Sequence, residues 1–291
     1  MENTIEIING KKIAEEFCKT IKARVENLKE QGIFPCLALI NASDDPASGI
    51  YVSKKEKQAA SLGIKSETYK FQSDAKESDI AELIERLNED KSVHGILIQA
   101  PLAEGLNFKK LINMVSIDKD VDGLTSINRG MLASGEPGTI PCTPHGILHL
   151  IKTVRERISG LHAVILGRSQ IVGRPLASLL LNSDCSVTVL HSRSQNTSEI
   201  CKTADILVSA VGKPKLVGKE FVKPGAIVID VGINRIVNPD ETKTVVGDVD
   251  FDEVCEVAGA ITPVPNGVGP MTVAYLMHNT VELAMKQNCV N

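Results

Sequence analysis

Two side chains in the first half of the chain have the types and the spacing for proton transfer. Tyr51 and Lys55 lie four residues apart in a segment with a helical pattern, so both project from one helical face, whereas Lys54 and Lys57 point elsewhere. A Tyr ring can stack on a flat heterocycle, and a Lys whose pKa is lowered by burial can exchange protons near neutral pH. The same spacing also fits an exposed helix with solvated lysines, so the pair alone does not define a site.

Two further polar side chains lie where a strand or a turn ends. Gln99 follows the apolar segment 95–98, and open α/β sheets expose ligand-binding groups at the carboxyl ends of their strands. Its amide can donate to and accept from a neighbouring Lys or a substrate. Asp122 lies in the polar turn 119–123, and a carboxylate can accept two N–H bonds from the edge of an aminopyrimidine-like ring. Singly, these residues also fit a strand end and a turn or helix cap. Together with the Tyr and the Lys they predict a substrate cleft.

A glycine turn follows the apolar segment 161–166 in the second half of the chain. Gly167 precedes a helix that we expect to start near Val172, and such a turn lets backbone N–H groups and a helix N-terminus approach a pyrophosphate. Ser169 stands where the strict Gly-x-Gly-x-x-Gly fingerprint has its second Gly, and similar turns occur in proteins that bind no nucleotide. The context of a strand and a helix nevertheless predicts a nucleotide site.

The residues around this turn favour one nucleotide over another. The next strand ends about 25 residues after the turn, where sites that select NAD often carry an acidic residue. Here that place holds Ser192 and Arg193, and together with Arg168 they suit a 2′-phosphate. NADP is therefore favoured over NAD, although the same residues would also fit a solvated loop.

Strand-like and helix-like segments alternate in both halves of the chain, which predicts an α/β fold with parallel, doubly wound sheets. The helices of the first half are expected near 10–30, 46–62, 76–90 and 107–116, and its strands at 35–40, 67–71 and 95–99. After a Gly- and Pro-rich passage, a helix over 144–157 leads to strands at 163–166, 186–190, 206–209 and 226–230, followed by a helix over 271–286. We expect residues 1–143 and 270–291 to form a catalytic domain, to which the last helix returns, and residues 144–269 to form a Rossmann-like nucleotide-binding domain.

Composition excludes several classes of protein. The 291 residues carry a net charge of −4 at pH 7, which gives no overall attraction to nucleic acid or to an anionic membrane surface. The seven cysteines are odd in number, scattered and never spaced as Cys-x-x-Cys, so neither a disulfide framework nor a zinc site is expected. The N-terminal segment lacks the pattern of a signal peptide, and no run of about 18 apolar residues occurs. These features predict a cytoplasmic protein without a metal centre.

The Tyr-x-x-x-Lys spacing also occurs in short-chain dehydrogenases, which are a rival interpretation. In those enzymes the Gly-rich nucleotide turn lies near the N-terminus, before the Tyr. Here Gly167 comes more than a hundred residues after Tyr51, and no equivalent turn follows Met1. The order of the motifs argues against the rival.

The chain resembles the bifunctional methylenetetrahydrofolate dehydrogenase/cyclohydrolase family. The matching segments, in family order and covering almost the whole chain, are 45–48 with 51–55, 95–102, 119–123, 141–144, 167–175, 230–234, 247–249 and 263–272. The resemblance implies oxidation of 5,10-methylenetetrahydrofolate to the 5,10-methenyl cation with NADP, followed by hydrolysis of that cation to 10-formyltetrahydrofolate, in one-carbon metabolism. It also implies a homodimer.

The resemblance further implies roles for individual residues. Lys55 is the key residue of hydrolysis, Gln99 tunes it, Tyr51 packs on the folate, and Asp122 anchors the pterin. The remaining substrate-binding residues implied are Pro101, Leu102, Pro265, Asn266 and Gly267. The cofactor-binding residues implied are Thr143, Gly167, Arg168, Ser169, Ile171, Val172, Gly173, Ser192, Arg193, Gly232 and Ile233.

Two segments depart from the family pattern, and two alternative functions stay open. Asn266 stands where the family usually has Gly, and segment 41–44 lacks the usual Val-Gly. Asn tolerates positive φ better than most residues, but its side chain can crowd the folate. A monofunctional dehydrogenase is one alternative, against which the presence of Lys55 counts. A non-catalytic module that senses NADP or folate is the other, and a turnover assay separates it from an enzyme.

Overall fold

The structure is a computed structural model that describes residues 5–43, 46–72, 74–237 and 242–290. Its strands are β1 Glu6–Ile7, β2 Cys36–Asn41, β3 Lys65–Lys70, β4 Gly95–Gln99, β5 His162–Leu166, β6 Ser186–Leu190, β7 Ile206–Ser209, β8 Ile227–Asp230, β9 Asn234–Val237, β10 Lys243–Val246 and β11 Ala260–Ile261. Its α-helices are α1 Gly10–Glu30, α2 Pro46–Ser61, α3 Glu77–Glu89, α4 Phe108–Ile112, α5 Ser126–Ser134, α6 Cys142–Val154, α7 Gly173–Leu181, α8 Thr197–Cys201, α9 Phe251–Cys255 and α10 Val268–Gln287.

The chain forms two compact units. The first unit comprises Glu15–Cys142 and the described residues from Val273 onward, and the second comprises the described residues before Glu15 together with Thr143–Thr272. The end of the chain therefore belongs to the first unit, as expected for the last helix. The two-domain α/β prediction is confirmed.

The first unit is built on a parallel sheet with the strand order β3-β2-β4. On one face, Cys36, Ala38 and Ile40 of β2 pack with the apolar stripe of α3 and with residues of α4. That stripe of Ile80, Leu83, Ile84 and Leu87 has the spacing of one helical face, and all four residues are buried. Because side chains alternate along a strand, the odd-numbered residues of β2 point to the opposite face.

The second unit contains a parallel sheet with the order β1-β11-β8-β7-β5-β6. The chain passes from β5 to β6 on one side and then returns to β7 on the other. This reversal creates a switch point at the carboxyl end of β5, where open α/β sheets bind ligands. The antiparallel hairpin of β9 and β10 lies outside this sheet.

Most predicted elements are present within a few residues of their expected bounds, but seven of the described strands and α-helices were not foreseen: β1, α5, α8, β9, β10, α9 and β11. The Gly- and Pro-rich passage contains α5, whose N-cap Thr125 accepts a hydrogen bond from the backbone N–H of Asn128 and whose C-cap is Gly135 in the left-handed conformation. The two-residue strand β1 joins the sheet of the second unit, and β9 pairs with β10. Among the described residues, no helix is long and apolar enough to cross a membrane.

Candidate active site

Lys55 and Gln99 are in direct contact at the carboxyl end of β4. Lys55 Nζ donates to Gln99 Oε1 at 2.8 Å. The Gln99 amide nitrogen donates to the Ala100 carbonyl, so the orientation of the amide is fixed with its oxygen toward the Lys. Burial lowers the pKa of Lys55, and the carboxyl of Asp122 opposes this effect. The Lys predicted to exchange protons is therefore held in an environment that favours its neutral form.

Asp122 lies beside the same strand end. Ile96 of β4 forms a parallel bridge with Asp120, and Asp122 lies in the turn that follows, close enough to Lys55 for each group to shift the pKa of the other. Burial raises the pKa of Asp122 to about 6. The Lys55 ammonium and hydrogen bonds from the thiol and backbone N–H of Cys142 act in the opposite direction, while the Asp120 carboxylate raises the pKa further.

Tyr51 projects from α2 one turn before Lys55 and is 36% exposed, so part of its side chain is accessible. Lys57 is exposed, as expected for a residue on another helical face. Lys54 Nζ, in contrast, lies over the Tyr51 ring at 6.0 Å from its centroid, so the expectation that Lys54 points elsewhere is wrong, because residues three apart are neighbours on a helix. Pro101 is exposed and Leu102 packs partly against the core beneath the sheet. The first unit thus brings Lys55, Gln99 and Asp122 together, with the Tyr51 ring on the same helix.

The glycine turn after β5 has a conformation that other residues rarely adopt. Gly167 has φ +119°, and a Cβ at this position would lie 2.3 Å from the carbonyl oxygen of Ala210. Ser169 Oγ accepts hydrogen bonds from the backbone N–H groups of Val172 at 3.2 Å and Gly173 at 3.3 Å. Ser169 therefore provides an acceptor for two backbone N–H groups at the start of α7, which gives a structural reason for Ser in place of the second Gly of the fingerprint.

The residues predicted to hold a 2′-phosphate lie at neighbouring strand ends. Leu166 of β5 and Leu190 of β6 are paired in register, so Arg168 and the pair Ser192 and Arg193 follow adjacent strands. All three side chains are exposed. Cations and a hydroxyl donor beside a glycine turn are a suitable donor set for a phosphate.

The remaining predicted cofactor residues also belong to the second unit. Thr143 Oγ1 is 3.1 Å from Thr272 Oγ1, and Ile171 and Ile233 are exposed apolar side chains. Gly232 follows β8, and a Cβ there would lie 2.3 Å from Asp248 Oδ1.

Two segments in which the chain departs from the family pattern have distinct environments. Asn266 has φ +80°, and its carbonyl accepts a hydrogen bond from the N–H of Lys11. This residue, the exposed Pro265 and the buried Gly267 belong to the second unit. In the first unit, Asn41 pairs in register with Gln99, and its buried Oδ1 has no hydrogen-bond partner among the residues that the structure describes. Asp44 and Asp45 lie outside the described residues.

Several residues around the two sites were not singled out from the sequence as candidates. Cys142 is buried and holds Asp122, and Asp120 accepts hydrogen bonds from the backbone N–H groups of Leu124 and Thr125 and from Asn128. In the second unit, Asp248 accepts from the three successive backbone N–H groups of residues 211–213. Two carboxylates in one short turn, as in 119–123, are the signal that could have directed attention to Asp120.

These features are those of a two-domain α/β nucleotide-dependent enzyme in which a buried Lys, a Gln and an Asp lie together in the first unit. Residues 8–122 match the model of the tetrahydrofolate dehydrogenase/cyclohydrolase catalytic domain, and residues 141–288 match that of the NAD(P)-binding domain of the same family. The chain belongs to the tetrahydrofolate dehydrogenase/cyclohydrolase family.

Individual relatives agree with this assignment over their whole length. The chain is 50% identical over 287 residues to the bifunctional protein FolD of Wolbachia pipientis subsp. Culex pipiens, covering 98% of this chain and 97% of the relative. It is similar to the crystal structure of the bifunctional enzyme FolD from Campylobacter jejuni, with 41% identity, a TM-score of 0.93, and coverage of 97% and 99% of the two chains. The Trypanosoma brucei enzyme, whose structure is a complex with NADP cofactor and inhibitor, gives 34% identity, a TM-score of 0.92, and coverage of 97% and 98%. The predictions of family, of a bifunctional dehydrogenase and cyclohydrolase, and of NADP as cofactor are confirmed.

Proposed function

We propose that this protein oxidises 5,10-methylenetetrahydrofolate with NADP and hydrolyses the methenyl product to 10-formyltetrahydrofolate through the residues described above. The observation that carries the residue assignment is the 2.8 Å contact between Lys55 Nζ and Gln99 Oε1, with Asp122 at the same strand end. Hydrolysis of a methenyl cation needs a water molecule to be activated and protons to be moved. A Lys whose pKa is lowered by burial supplies that function near neutral pH.

Lys55 and Gln99 have separate roles in the hydrolysis. Water adds to the cationic carbon and loses a proton, and the adduct opens by cleavage of one carbon–nitrogen bond to give the formyl product. Neutral Lys55 takes up the proton from the water, and the ammonium that forms returns it to the leaving nitrogen. The proton of the adduct's hydroxyl group is released to solvent as the formyl carbonyl forms. Gln99 accepts from Lys55 Nζ in both charge states of the Lys and so keeps the nitrogen in one position.

Asp122 and Tyr51 bind the folate. The carboxylate of Asp122 accepts two hydrogen bonds from the aminopyrimidine edge of the pterin, and the exposed ring of Tyr51 stacks on the heterocycle. Pro101 and Leu102, which follow Gln99 in the chain, border the same site. The loop residues Pro265, Asn266 and Gly267 complete the proposed substrate-binding set.

The second unit has a site that fits NADP, as judged from the glycine turn at Gly167 and the neighbouring cations. Bound NADP supplies the nicotinamide that accepts the hydride. Arg168, Ser192 and Arg193 hold the 2′-phosphate, and the segment from Gly167 to Gly173 approaches the pyrophosphate. Thr143, Gly232 and Ile233 complete the proposed cofactor set. The methylene substrate has lone-pair assistance from its nitrogens for loss of hydride, so positioning provides much of the catalysis in this step.

The test is turnover of 5,10-methylenetetrahydrofolate by the purified protein with NADP or NAD, in which reduced cofactor and methenyl product are followed separately. Reduced cofactor without lasting methenyl product is the expected result. Lasting methenyl product would instead indicate a monofunctional dehydrogenase. Absence of turnover with either cofactor in a folded sample would support the sensing module.

We further propose that folate binding and catalysis reside in residues 1–143 and 270–291 and cofactor binding in residues 144–269, and that the protein works as a cytoplasmic homodimer without a nucleic-acid partner. The net charge of −4, which gives no overall attraction to nucleic acid, supports the absence of a nucleic-acid partner. Measurement of the molar mass in solution tests the dimer.

A further inference from the structure

Asn279 is a buried amide on α10 that joins two segments distant from it in the chain. Its side chain is in the first unit and is 5% exposed. Its Nδ2 atom donates to the carbonyl oxygen of Val121 at 2.8 Å and to that of Ile140 at 3.0 Å. Both N–H groups of the amide are therefore used, and since both partners are acceptors, the orientation of the amide is determined.

The two carbonyls lie on either side of Asp122. Val121 immediately precedes Asp122, so the first hydrogen bond holds the peptide group that carries the carboxyl side chain. Ile140 is two residues before Cys142, whose thiol and backbone N–H form hydrogen bonds with that carboxyl group. The Asn279 amide thus holds both the backbone next to Asp122 and the segment that carries Cys142, the donor to the Asp122 carboxyl group.

The geometry around these segments leaves little room for adjustment. The thiol of Cys142 lies 3.3 Å from the Val121 carbonyl oxygen and 3.5 Å from Asn279 Nδ2. Gly123 has φ +64°, and a Cβ there would lie 2.6 Å from the carbonyl oxygen of Thr139. The turn that contains Asp122 is therefore packed directly against segment 139–142, and a shift of either segment moves the carboxyl group relative to its donors.

We propose that Asn279 is a positioning residue for folate binding, which holds the Asp122 carboxyl group in place through the carbonyls of Val121 and Ile140. The inference rests on the proposed role of Asp122 as the pterin anchor. It assigns to α10 a function in substrate binding that its sequence position, more than 150 residues after Asp122, does not suggest.

The test is a double-mutant cycle with Asn279→Leu and Asp122→Ala, in which affinities for the folate substrate and for NADP are measured by titration. Leu has a similar volume but no N–H group, so both buried carbonyls lose their donor. We expect Asn279→Leu to weaken folate binding about tenfold, which corresponds to roughly one lost hydrogen bond, and to leave NADP affinity unchanged. In the Asp122→Ala background the same substitution should have little further effect on folate affinity.

A matched control is available on the same helix. Thr280 is fully buried, and its hydroxyl donates to the Leu276 carbonyl of α10 at 2.8 Å, so Thr280→Val also removes a buried hydrogen bond but none to the Asp122 segments. This variant should keep its folate affinity even where its melting temperature falls. If Asn279→Leu does not fold, Asn279→Ala, which removes the same donors without adding a charge, serves in the same cycle.

The possible outcomes separate this inference from the proposed function. Additive effects of Asn279→Leu and Asp122→Ala on folate affinity, or an equal loss of folate and NADP affinity in Asn279→Leu, would refute the positioning role alone. Unchanged folate affinity in Asp122→Ala would refute the anchor role of Asp122 and with it the link to Asn279. A non-additive loss confined to folate supports both.

Discussion

Replacing Lys55 by Met should separate the two proposed activities. Met is unbranched and reaches almost as far as the Lys stem, so it fills the space beneath Gln99 without a large cavity. It removes the 2.8 Å hydrogen bond to Gln99 Oε1 and the only group placed here to exchange protons with water in the proposed mechanism. General acid–base catalysis by one side chain contributes about 10²- to 10⁴-fold, so the hydrolysis rate should fall by roughly that factor. Hydride loss needs no such group and should persist.

The structure predicts a second effect of the same substitution, on the pH dependence of folate binding. The Lys55 ammonium lowers the pKa of Asp122, which burial raises to about 6. Without the positive charge that pKa must rise above about 6, so more of the anchor is protonated at neutral pH. The midpoint of folate affinity against pH should therefore move upward in Lys55→Met.

The assay follows loss of the methenyl compound and formation of reduced NADP in separate experiments, and Lys57→Met is the matched control. Lys57 is an exposed lysine on the same helix and is not assigned to the site. A hydrolysis rate of Lys55→Met within about tenfold of that of the unchanged protein would contradict the proton-transfer role. Loss of general acid–base catalysis should lower the rate by at least about 10²-fold. An equal loss in Lys57→Met would show that the effect is not specific to the site.

Three further substitutions have defined expectations. Asp122→Asn should increase the free energy of unfolding above pH 6 by about 3 kcal/mol, because a folded-state pKa raised from 3.8 to about 6 stabilises the fold at low pH and that contribution is lost as the pH rises through 6. Urea unfolding at pH 4 and pH 7.5 measures this, and an equal difference at both values would contradict it. Arg168→Ala should weaken NADP more than NAD, since only NADP carries the 2′-phosphate, and an unchanged ratio of the two KM values would remove Arg168 from that site. Gly167→Ala should cost about 2 kcal/mol or more of stability and weaken NADP binding, because its Cβ would lie 2.3 Å from the Ala210 carbonyl oxygen. Normal urea unfolding and NADP titration of this variant would refute the need for Gly.

Local patterns were sufficient to predict the elements that carry the candidate site. The period of apolar residues in α3 and the apolar run that ends at Gln99 both concern neighbours in the chain, and the structure has these elements close to their expected bounds. The helical spacing of Tyr51 and Lys55 likewise fixes their common face without knowledge of the rest of the fold.

Contacts between distant segments could not be predicted from such patterns. The amide of Asn279 reaches Val121 across 158 residues, and Cys142 reaches the Val121 carbonyl across 21. β1 has only two residues, which is too few to show the alternation of buried and exposed residues that is typical of a strand. It is recognisable only through its pairing with β11. Burial decides the pKa values of Lys55 and Asp122, and burial depends on these distant contacts.

The charges at the strand end explain how one site can serve two steps with different needs. Burial lowers the pKa of Lys55 and raises that of Asp122 to about 6, so both groups move toward neutrality from opposite directions. The charge of each group partly offsets the pKa shift of the other. Lys55 can therefore act as a proton acceptor while Asp122 nearby stays an anion. Asp120, buried and bonded to backbone N–H groups, adds negative charge that raises the pKa of Asp122 further. In the proposed mechanism the hydride step needs Asp122 to hold the folate beside NADP, whereas hydrolysis needs the neutral Lys as well. Protonation of Asp122 and Lys55 should therefore set the lower pH limit at which both activities are present. Full cyclohydrolase activity well below pH 6 would contradict these proposed roles of Asp122 and Lys55.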